Sequence, residues 1–298
     1  MTQKEKIKVG VGILSWRAHK TIQKSLLSYR QENLFSLFDQ SILYFNDLCE
    51  EDKRIANEFE VPFAGGENLG IFEGMRAIAK QLDSMDYILF LQNDCPMVEN
   101  HEELKRQLAE AIALLEEGTI DMIRMRHRWK VGEGFDLAKY LRYFGVSELN
   151  ESFSFEETGI QRETLPDSLA KKLRRTFRPS KAKKLLGMSV YLEKNPHLIH
   201  PRFIQGEGDT FIVDSAVIPF TEQPFLIGKK ILSQLFDYVE KHPRSRTLNG
   251  FQTMEIPLND SFWKNGGFKI GVSKGVFTHN RFDGSFRKNH PAYEEKSD

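Results

Sequence analysis

The stretch YILFLQNDCP (Tyr87–Pro96) joins a run of apolar residues directly to a short polar cluster. The run from Tyr87 to Leu91 has the length and composition of a buried strand. A core strand that reaches the surface and turns would explain the polar residues that follow. A strand of a parallel sheet, whose carboxyl end presents Asp94 to a ligand, would explain them equally well.

Strand and helix patterns alternate around this stretch over about the first 125 residues, as in parallel α/β sheets covered on both faces. Strands are predicted at Ile7–Trp16, SILYFND (41–47), VPFAGG (61–66), DYILFLQND (86–94) and IDMIRMR (120–126). Helices are predicted at His19–Tyr29, EEDKRIANEF (50–59), Ile71–Leu82 and Glu102–Glu117. The sequence therefore predicts an α/β fold with a mixed, mainly parallel sheet flanked by helices.

The pattern changes after Arg126. Residues 127–185 are basic, aromatic in patches and poorly periodic, which predicts an irregular insertion with at least one mobile loop. Order is predicted to return at LLGMSVYL (185–192) and DTFIVDSAVIPF (209–220), followed by an amphipathic helix over Ile227–Glu240. Residues 250–284 have the pattern of a compact helix, turn and strand unit. We expect two halves, 1–126 and 127–298, within one continuous domain.

Composition excludes several classes of protein. Of the 298 residues, 40% are hydrophobic and 28% charged, which is typical of a soluble globular protein. The formal net charge is zero, so no global field attracts nucleic acid or a membrane. Two cysteines, Cys49 and Cys95, form neither a disulfide framework nor a zinc motif. Since no secretory signal or membrane-spanning run is evident, a reducing cytoplasm is the expected setting.

Two phosphate-binding motifs are also excluded. In VGVGILS, Gly10 and Gly12 lie inside the predicted strand, and no third glycine opens the following helix, as a dinucleotide fingerprint requires. The sequence contains no GxxxxGK[ST] loop.

Polar side chains stand at the ends of three predicted strands. The first strand ends at Ser15 and Trp16, the second at Asn46 and Asp47, and the fourth at Gln92–Asp94. Because carboxyl ends of parallel strands share one edge, these groups are expected to converge. A single Asp at a strand end is more often a helix cap or turn former. Two carboxylates on one edge, beside the glycine-rich GGENLG (65–70), favour a polar ligand site.

The order of these motifs resembles the nucleotide-binding half of GT-A glycosyltransferases, family 2 in particular. The family places an Asp at the second strand end, here Asp47, and an NxG turn before a helix, here Asn68–Gly70. A D-x-D triplet follows an apolar strand, and its position holds Gln92–Asp94. Near the carboxyl end, Glu255 stands at the family's ED pair and His279 at its His position.

The resemblance covers roughly residues 7–126 and 250–284, and it implies a nucleotide-diphosphate sugar donor, UDP-, dTDP- or GDP-linked. Asp94 and His279 would hold Mn²⁺ or Mg²⁺, which stabilises the departing diphosphate. An imidazole ligand favours Mn²⁺ over Mg²⁺. Gln92 departs from the pattern, because a neutral amide replaces the first acid and weakens the cation site. A hydrogen-bonded surface histidine is the alternative for His279.

The remaining donor contacts also follow from the resemblance. Asp47 would accept a hydrogen bond from the base, and Ser15 would line the same pocket. Asn68 and Gly70 would bring backbone close to the sugar diphosphate. Gln92 and Asn93 complete the predicted donor site, with the Gln92 amide accepting a hydrogen bond from a ribose hydroxyl.

Glu255 is the predicted general base that takes the proton of the acceptor hydroxyl. Ile256 replaces its usual acidic neighbour, and a first-turn acid that complements the helix dipole is the alternative interpretation. Asp209 and Glu207 in QGEGDTF are the fallback candidates. A single displacement, which inverts the anomeric centre, is the mechanism that the resemblance favours.

The run Lys171–Lys184 contains eight basic residues among fourteen. A solvated face is the default interpretation. Contact with anionic phospholipid or with a lipid-diphosphate acceptor is the second, since several cations near a membrane act together. Nucleic acid is the third and least favoured, because no DNA- or RNA-binding motif accompanies the run.

Together these features predict a metal-dependent, inverting glycosyltransferase with a glycan or glycolipid acceptor and no nucleic-acid partner. A non-catalytic binding protein with the same fold is one alternative, supported by Gln92 and Ile256. A sugar-phosphate nucleotidyltransferase is another, although SWRAHKTIQ (15–23) lacks the glycine-rich loop that such an enzyme needs.

Overall fold

A computed structural model describes residues 6–248 and 250–283. Of Glu207, it describes the backbone but not the side chain. The strands of this part of the chain are β1 (Val9–Trp16), β2 (Gln40–Asn46), β3 (Phe63–Gly66), β4 (Tyr87–Gln92), β5 (Met122–Arg126), β6 (Ile204–Glu207), β7 (Thr210–Asp214), β8 (Phe225–Gly228) and β9 (Lys269–Phe277). Its α-helices are α1 (His19–Gln31), α2 (Glu50–Glu58), α3 (Gly70–Gln81), α4 (His101–Glu116), α5 (Phe135–Leu141), α6 (Leu169–Phe177), α7 (Pro179–Lys183), α8 (Pro196–Ile199), α9 (Lys229–Lys241), α10 (Glu255–Leu258) and α11 (Ser261–Asn265).

All nine strands belong to one sheet, in the order β3-β2-β1-β4-β8-β5-β9-β7-β6. Strands β8 and β7 are antiparallel to both of their neighbours, so the other seven share one direction. The predicted fold class, a mixed α/β sheet flanked by helices, is confirmed. The strands of the two predicted halves interleave, because β8 lies between β4 and β5.

Alternating side chains of β4 explain its continuous apolar run. Ile88 and Phe90 pack into the core on one face of the sheet, while Leu89 and Leu91 pack into the core on the other. Helices α3, α5 and α9 cover the first face, and α1, α2 and α4 cover the second. Burial on both faces is typical of parallel strands.

The glycines of β1 have a packing role. A Cβ at Gly12 would overlap the side chain of Ile78 on α3, and one at Gly10 would lie 2.8 Å from Met85. Both positions therefore allow α3 and the turn after it to lie close against the sheet. This packing accounts for the VGVG pattern without a bound nucleotide.

Several predicted boundaries were wrong, including the starts of the first and fifth strands, which lie at Val9 and Met122, two residues after the predicted starts. The predicted helix over Ile227–Glu240 begins at Lys229, because Phe225–Gly228 pairs with β4 and β5 as strand β8. The third strand begins at Phe63 rather than Val61. Within 6–248 and 250–283, no helix combines the length and the apolar character needed to cross a membrane.

Candidate functional site

The carboxyl ends of β1, β2 and β4 meet at one edge of the sheet. Trp16 pairs with Asn46 on β2, and Leu14 pairs with Gln92 on β4. The Asn93 amide donates to Ser15 Oγ at 3.3 Å, joining the ends of β1 and β4. The structure thus brings together three strand ends that lie up to about 80 residues apart in the sequence.

A cleft opens at this edge, enclosing about 570 Å³ of space including the solvent at its mouth; we call it the rim cleft. Its walls include five of the predicted donor-site residues: Ser15, Asn68, Gly70, Gln92 and Asn93. A second wall is lined by Leu248, Phe251, Gln252 and Thr253. The second wall comes from the carboxyl-terminal half of the chain.

The NLG turn shapes the floor of the rim cleft. Asn68 Oδ1 accepts a hydrogen bond from the Gly70 N–H at 3.0 Å, closing a tight turn at the start of α3. Gly70 has φ +81°, and a Cβ there would overlap the side chain of Phe251. Both the backbone angle and the close approach of Phe251 require glycine at this position.

Asn46 is a cleft residue for which the sequence suggested no role. Its Nδ2 donates to the Gly70 carbonyl at 3.0 Å, and the residue is 2% exposed. Its Oδ1 is buried and has no hydrogen-bond partner among the described residues. A buried oxygen without a hydrogen-bond donor costs free energy. A ligand in the rim cleft that donates a hydrogen bond to Asn46 Oδ1 would remove this cost. Its place at the end of the second strand was the only signal in the sequence.

Asp47 lies beside the rim cleft and is not among the residues that line it. Its carboxylate forms an ion pair with Arg17. Both residues have positive φ, +64° for Asp47 and +44° for Arg17, in the turns that follow β2 and β1. The pair holds these two turns together, and a role for Asp47 in base recognition remains a prediction.

Asp94 and His279 are in contact. Asp94 is fully buried, and its Oδ2 lies 3.2 Å from His279 Nε2 and 3.1 Å from Arg281 Nε. Burial raises the pKa of Asp94, but the charges and hydrogen bonds of His279 and Arg281 outweigh burial and hold it well below its usual range. The carboxylate is therefore ionised and paired with the Arg281 guanidinium group.

The sequence motifs assigned no role to Arg281, which lies in the segment HNRFDG (279–284). Its Nη1 lies 3.6 Å from Glu133 Oε2, and the same carboxylate lies 3.8 Å from His279 Nδ1. Asp94, Glu133, His279 and Arg281 thus form one cluster; we call it the Asp94 cluster. No sequence motif links Glu133, from the irregular segment, to the other three.

The Asp94 cluster does not fit a divalent cation that must also contact a diphosphate. A carboxylate and an imidazole are suitable donors for Mn²⁺. However, His279 and Arg281 already share Asp94 Oδ2, and Oδ1 lies 3.6 Å from the Cys95 thiol. The guanidinium group supplies the positive charge that a cation would bring. Mn²⁺ or Mg²⁺ at Asp94 and His279 remains a prediction that this arrangement disfavours.

Glu255 lies beside a second acid, Glu222, to which the sequence motifs assigned no role. Glu255 Oε1 accepts from the Glu222 N–H at 3.0 Å, and Glu222 Oε1 accepts from the Met254 N–H at 2.5 Å. Burial raises the pKa of Glu222 to about 8, and the nearby Glu255 contributes. Burial also raises the pKa of Glu255. Buried acids with raised pKa values are common at sites of proton transfer.

Glu255 lines a second cleft of about 1250 Å³, solvent included; we call it the basic cleft. Five cations contribute to its walls: Lys139, Arg142, Lys181, Lys184 and Arg246. Lys139 pairs with Asp136 at 2.8 Å, whereas the other four form no ion pair among the residues that the structure describes. Burial lowers the pKa of Lys184, and nearby lysines lower it further. This clustering of uncompensated positive charge favours an anionic ligand.

The two clefts have no lining residue in common, but hydrogen bonds through Glu222 connect them. Gln92, in the rim cleft, donates to the Glu222 carbonyl at 3.2 Å, and the Glu222 N–H donates to Glu255. Thr221 lines the basic cleft, and Thr253 lines the rim cleft two residues before Glu255. Glu255 therefore lines the basic cleft and is connected to Gln92 of the rim cleft through the backbone of Glu222.

The fallback acids have a different setting. Asp209 pairs with Arg106 on α4 at 2.9 Å and is largely exposed. The side chain of Glu207 lies outside the described part of the structure, as does Gly284 at the end of the resemblance. Asp209 lines neither cleft.

His19, Cys49 and Asp52 form another cluster of metal-ligand types, with ligand atoms within 4.8 Å of one another. His19 Nε2 lies 3.1 Å from Asp52 Oδ1 and 3.6 Å from Cys49 Sγ. Asp52 Oδ2 also accepts from the Cys49 N–H at 3.0 Å, which caps α2. Helix capping and the ion pair account for the arrangement of these residues.

No protein-family model matches the chain, and no curated protein matches it in sequence. Among solved structures, it is similar to TarS from S. aureus, with 11% identity and a TM-score of 0.45 over 92% of this chain and 37% of TarS. It is similar to glucosyl-3-phosphoglycerate synthase from Mycobacterium tuberculosis, solved with Mn²⁺ and UDP, with 11% identity and a TM-score of 0.42 over 92% of this chain and 72% of that one.

A third similar structure is a cytidylyltransferase from Leptospira borgpetersenii, with 17% identity and a TM-score of 0.31. This match covers 43% of this chain and 58% of the cytidylyltransferase. All three likenesses are distant.

Proposed function

We propose that this chain is a GT-A type glycosyltransferase, which moves a sugar from a nucleoside-diphosphate donor in the rim cleft to an acceptor in the basic cleft. The observation that carries the proposal is that Glu255 lines the basic cleft and is connected through Glu222 to Gln92 of the rim cleft. A transferase needs two adjoining ligand sites with a proton acceptor between them.

The donor's base would enter the rim cleft beside Asn46. The buried Oδ1 of Asn46 lacks a donor partner among the described residues, and the ring N–H of uracil, thymine or guanine would supply one. These are the bases of UDP-, dTDP- and GDP-linked sugars. Asn68 and Gly70 would face the diphosphate, with Asp47 and Arg17 supporting the turns behind the base.

Transfer would proceed by a single displacement. The acceptor hydroxyl oxygen bonds to the anomeric carbon while its proton passes to the Glu255 carboxylate. The bond between that carbon and the diphosphate oxygen breaks, and the nucleoside diphosphate leaves with the bonding pair. Attack opposite to the leaving group inverts the anomeric centre. Burial raises the pKa of Glu255 toward the range in which a general base works best.

The basic cleft indicates an anionic acceptor. Arg142, Lys181, Lys184 and Arg246 form no ion pair among the described residues, so a phosphate or carboxylate on the acceptor would compensate charges already gathered there. A glycan or glycolipid that carries phosphate has this chemistry.

The proposal is tested with a panel of nucleotide sugars, each read by release of nucleoside diphosphate and by the Tm of the protein. We expect one donor class to raise the Tm and to be hydrolysed slowly. Glu255→Gln should abolish turnover and retain the Tm shift. Asn46→Ala should lose the Tm shift, whereas Asn57→Ala, on the exposed face of α2, should retain it. Absence of any nucleotide-dependent shift in the wild type would refute the donor site.

The predicted Mn²⁺ or Mg²⁺ site at Asp94 and His279 is tested separately. Arg281→Ala removes one of the two groups that share Asp94 Oδ2 and the positive charge beside it, so Mn²⁺ should increase the UDP-dependent Tm shift of this variant more than that of the wild type. An equal Mn²⁺ effect in both proteins would show that Arg281 does not take the place of a cation.

A non-catalytic nucleotide- or glycan-binding protein is the second candidate. Glu255 and Glu222 each accept backbone hydrogen bonds, which a purely structural pair would also do. A nucleotide-dependent Tm shift without turnover on any donor would favour this candidate.

A further inference from the structure

Helix α6 has its polar and apolar faces reversed with respect to the protein. Leu169, Leu173 and Phe177 are exposed to 73%, 48% and 78%, whereas Lys171 is only 7% exposed. A surface helix normally buries its apolar stripe and solvates its charges. Exposed apolar groups of this size that lie side by side mark an interaction surface.

Lys171 and the partly exposed Arg175 hold the helix in this orientation. Lys171 Nζ donates to the carbonyls of Phe144, at 2.9 Å, and Thr164, at 2.5 Å. Arg175 forms a two-point ion pair with Asp167, at 2.8 and 2.9 Å, and donates to the Tyr143 carbonyl. Rotation of α6 to bury the leucines would break all of these contacts. The outward apolar face is therefore built into the fold.

The surface charges frame the apolar face. Successive helix residues are about 100° apart, so Leu169, Leu173 and Phe177 fall within an arc of about 80°. Lys172 and Arg174 lie about 60° beyond either edge of that arc, and both are exposed. Long cationic side chains on both flanks of an apolar face are typical of helices that lie in a membrane interface.

The charge continues along the neighbouring α7. Residues 169–184 contain eight basic residues and no acid, although the whole chain has zero formal net charge. Only Arg175 among these eight forms an ion pair with a described residue. An apolar stripe framed by uncompensated cations is complementary to a surface with acyl chains below and negative head groups above.

We propose that α6 docks this protein on an anionic lipid surface, with Leu169, Leu173 and Phe177 inserted among the lipids and Lys172 and Arg174 on the head groups. Lys181 and Lys184, which line the basic cleft, follow α6 directly. If the proposed function holds, on which this second step rests, the acceptor is an anionic glycolipid anchored in the same surface.

The test is co-sedimentation of the full chain with vesicles of phosphatidylcholine alone or mixed with phosphatidylglycerol. We expect binding to the mixed vesicles that weakens as salt increases. The double change Leu173→Ser and Phe177→Ser should weaken it by at least about tenfold, given the apolar area removed. Leu198→Ser, a matched change at a 70% exposed leucine on α8, should leave it unchanged. Lys172→Gln with Arg174→Gln should reduce binding to the mixed vesicles selectively.

Three results would overturn the inference. The first is no sedimentation with anionic vesicles, and the second is an equal effect of the Leu198 and the Leu173/Phe177 changes on vesicle binding. The third is a concentration-dependent dimer, seen in ultracentrifugation, that the Leu173/Phe177 change abolishes. The last result would mean that a second copy covers the face. Nucleotide-dependent Tm shifts are measured on the same variants without vesicles. A wild type that shows the nucleotide-dependent shift but does not sediment with anionic vesicles would fail this inference alone, whereas absence of the shift would fail the proposed function.

Discussion

At the residue scale, Gly70 connects the sequence motif to the site. Its NLG context predicted a tight turn, and the structure adds a reason for glycine that the motif does not contain. Phe251, 181 positions later in the chain, packs where a Cβ would be. The turn was predictable from local chemistry, whereas the overlap with Phe251 follows only from the tertiary fold.

Gly70→Ala should therefore destabilise the protein more than a glycine change with backbone strain alone. Gly118 is the matched control, since it has φ +68° and open space where a Cβ would lie. We expect Gly118→Ala to cost about 1 kcal/mol through its left-handed backbone, and Gly70→Ala about 2 kcal/mol more through overlap. Urea unfolding measures both. Equal losses would show that Phe251 yields without cost.

Glu222 gives a pH prediction. Burial and Glu255 raise its pKa in the folded chain to about 8, above the value of about 4.3 for an unfolded glutamate. Between these values the folded state holds a proton that the unfolded state has lost, so the free energy of unfolding falls as pH rises. Glu222→Gln removes this contribution and should flatten the decline, leaving the contribution of Glu255, whose pKa is also raised by burial.

Urea midpoints at pH 5.5 and pH 8 measure the effect. Glu240→Gln, at an exposed position on α9, serves as the control and should keep the wild-type decline. An unchanged decline in Glu222→Gln would show that Glu222 titrates normally in the folded protein.

At the element scale, local sequence pattern predicted most of the long helices. It failed for residues whose conformation depends on pairing with distant strands. The helices α1, α2, α3 and α4 begin within one residue of their predicted starts, since each has a clear apolar periodicity. Residues 225–228 carry an equally apolar run, yet they form β8 because β4 and β5 leave an antiparallel position between them. A four-residue strand has no periodicity long enough to reveal this.

Helix α7 offers a prediction about charge. Lys181 of α7 and Lys184, the residue after its end, line the basic cleft, whereas Lys183 lies over the Phe203 ring. With UDP occupying the rim cleft, inorganic pyrophosphate should raise the Tm of the wild type through the basic cleft. Lys181→Gln with Lys184→Gln should remove that shift, and Lys183→Gln should retain it. An equal loss in both variants would indicate unspecific screening rather than a cleft.

At the scale of the whole molecule, the sheet joins both halves of the chain. Strands β4 and β5 are separated by β8, and β5 pairs on its other side with β9. Residues 1–126 alone would leave β5 without either neighbour and would leave one edge of β4 unpaired. We expect a fragment of these residues to lack the cooperative unfolding of the full chain.

Circular dichroism and urea unfolding of the fragment test this expectation. Residues 1–126 co-expressed with 127–298 provide the control, since the two pieces together contain all strands. A fragment that unfolds cooperatively on its own would establish the first half as an independent domain.

The sequence by itself determined the α/β class, the first four helices and the polar strand ends, because periodicity, glycine and turn chemistry act over a few residues. It also marked Ser15, Asn68, Gly70, Gln92 and Asn93, which line one cleft. Only the tertiary structure decided that Glu222 faces Glu255, that Arg281 compensates Asp94, and that α6 turns its leucines outward. These contacts join residues without a shared local pattern, so burial and charge become defined only after the chain has folded.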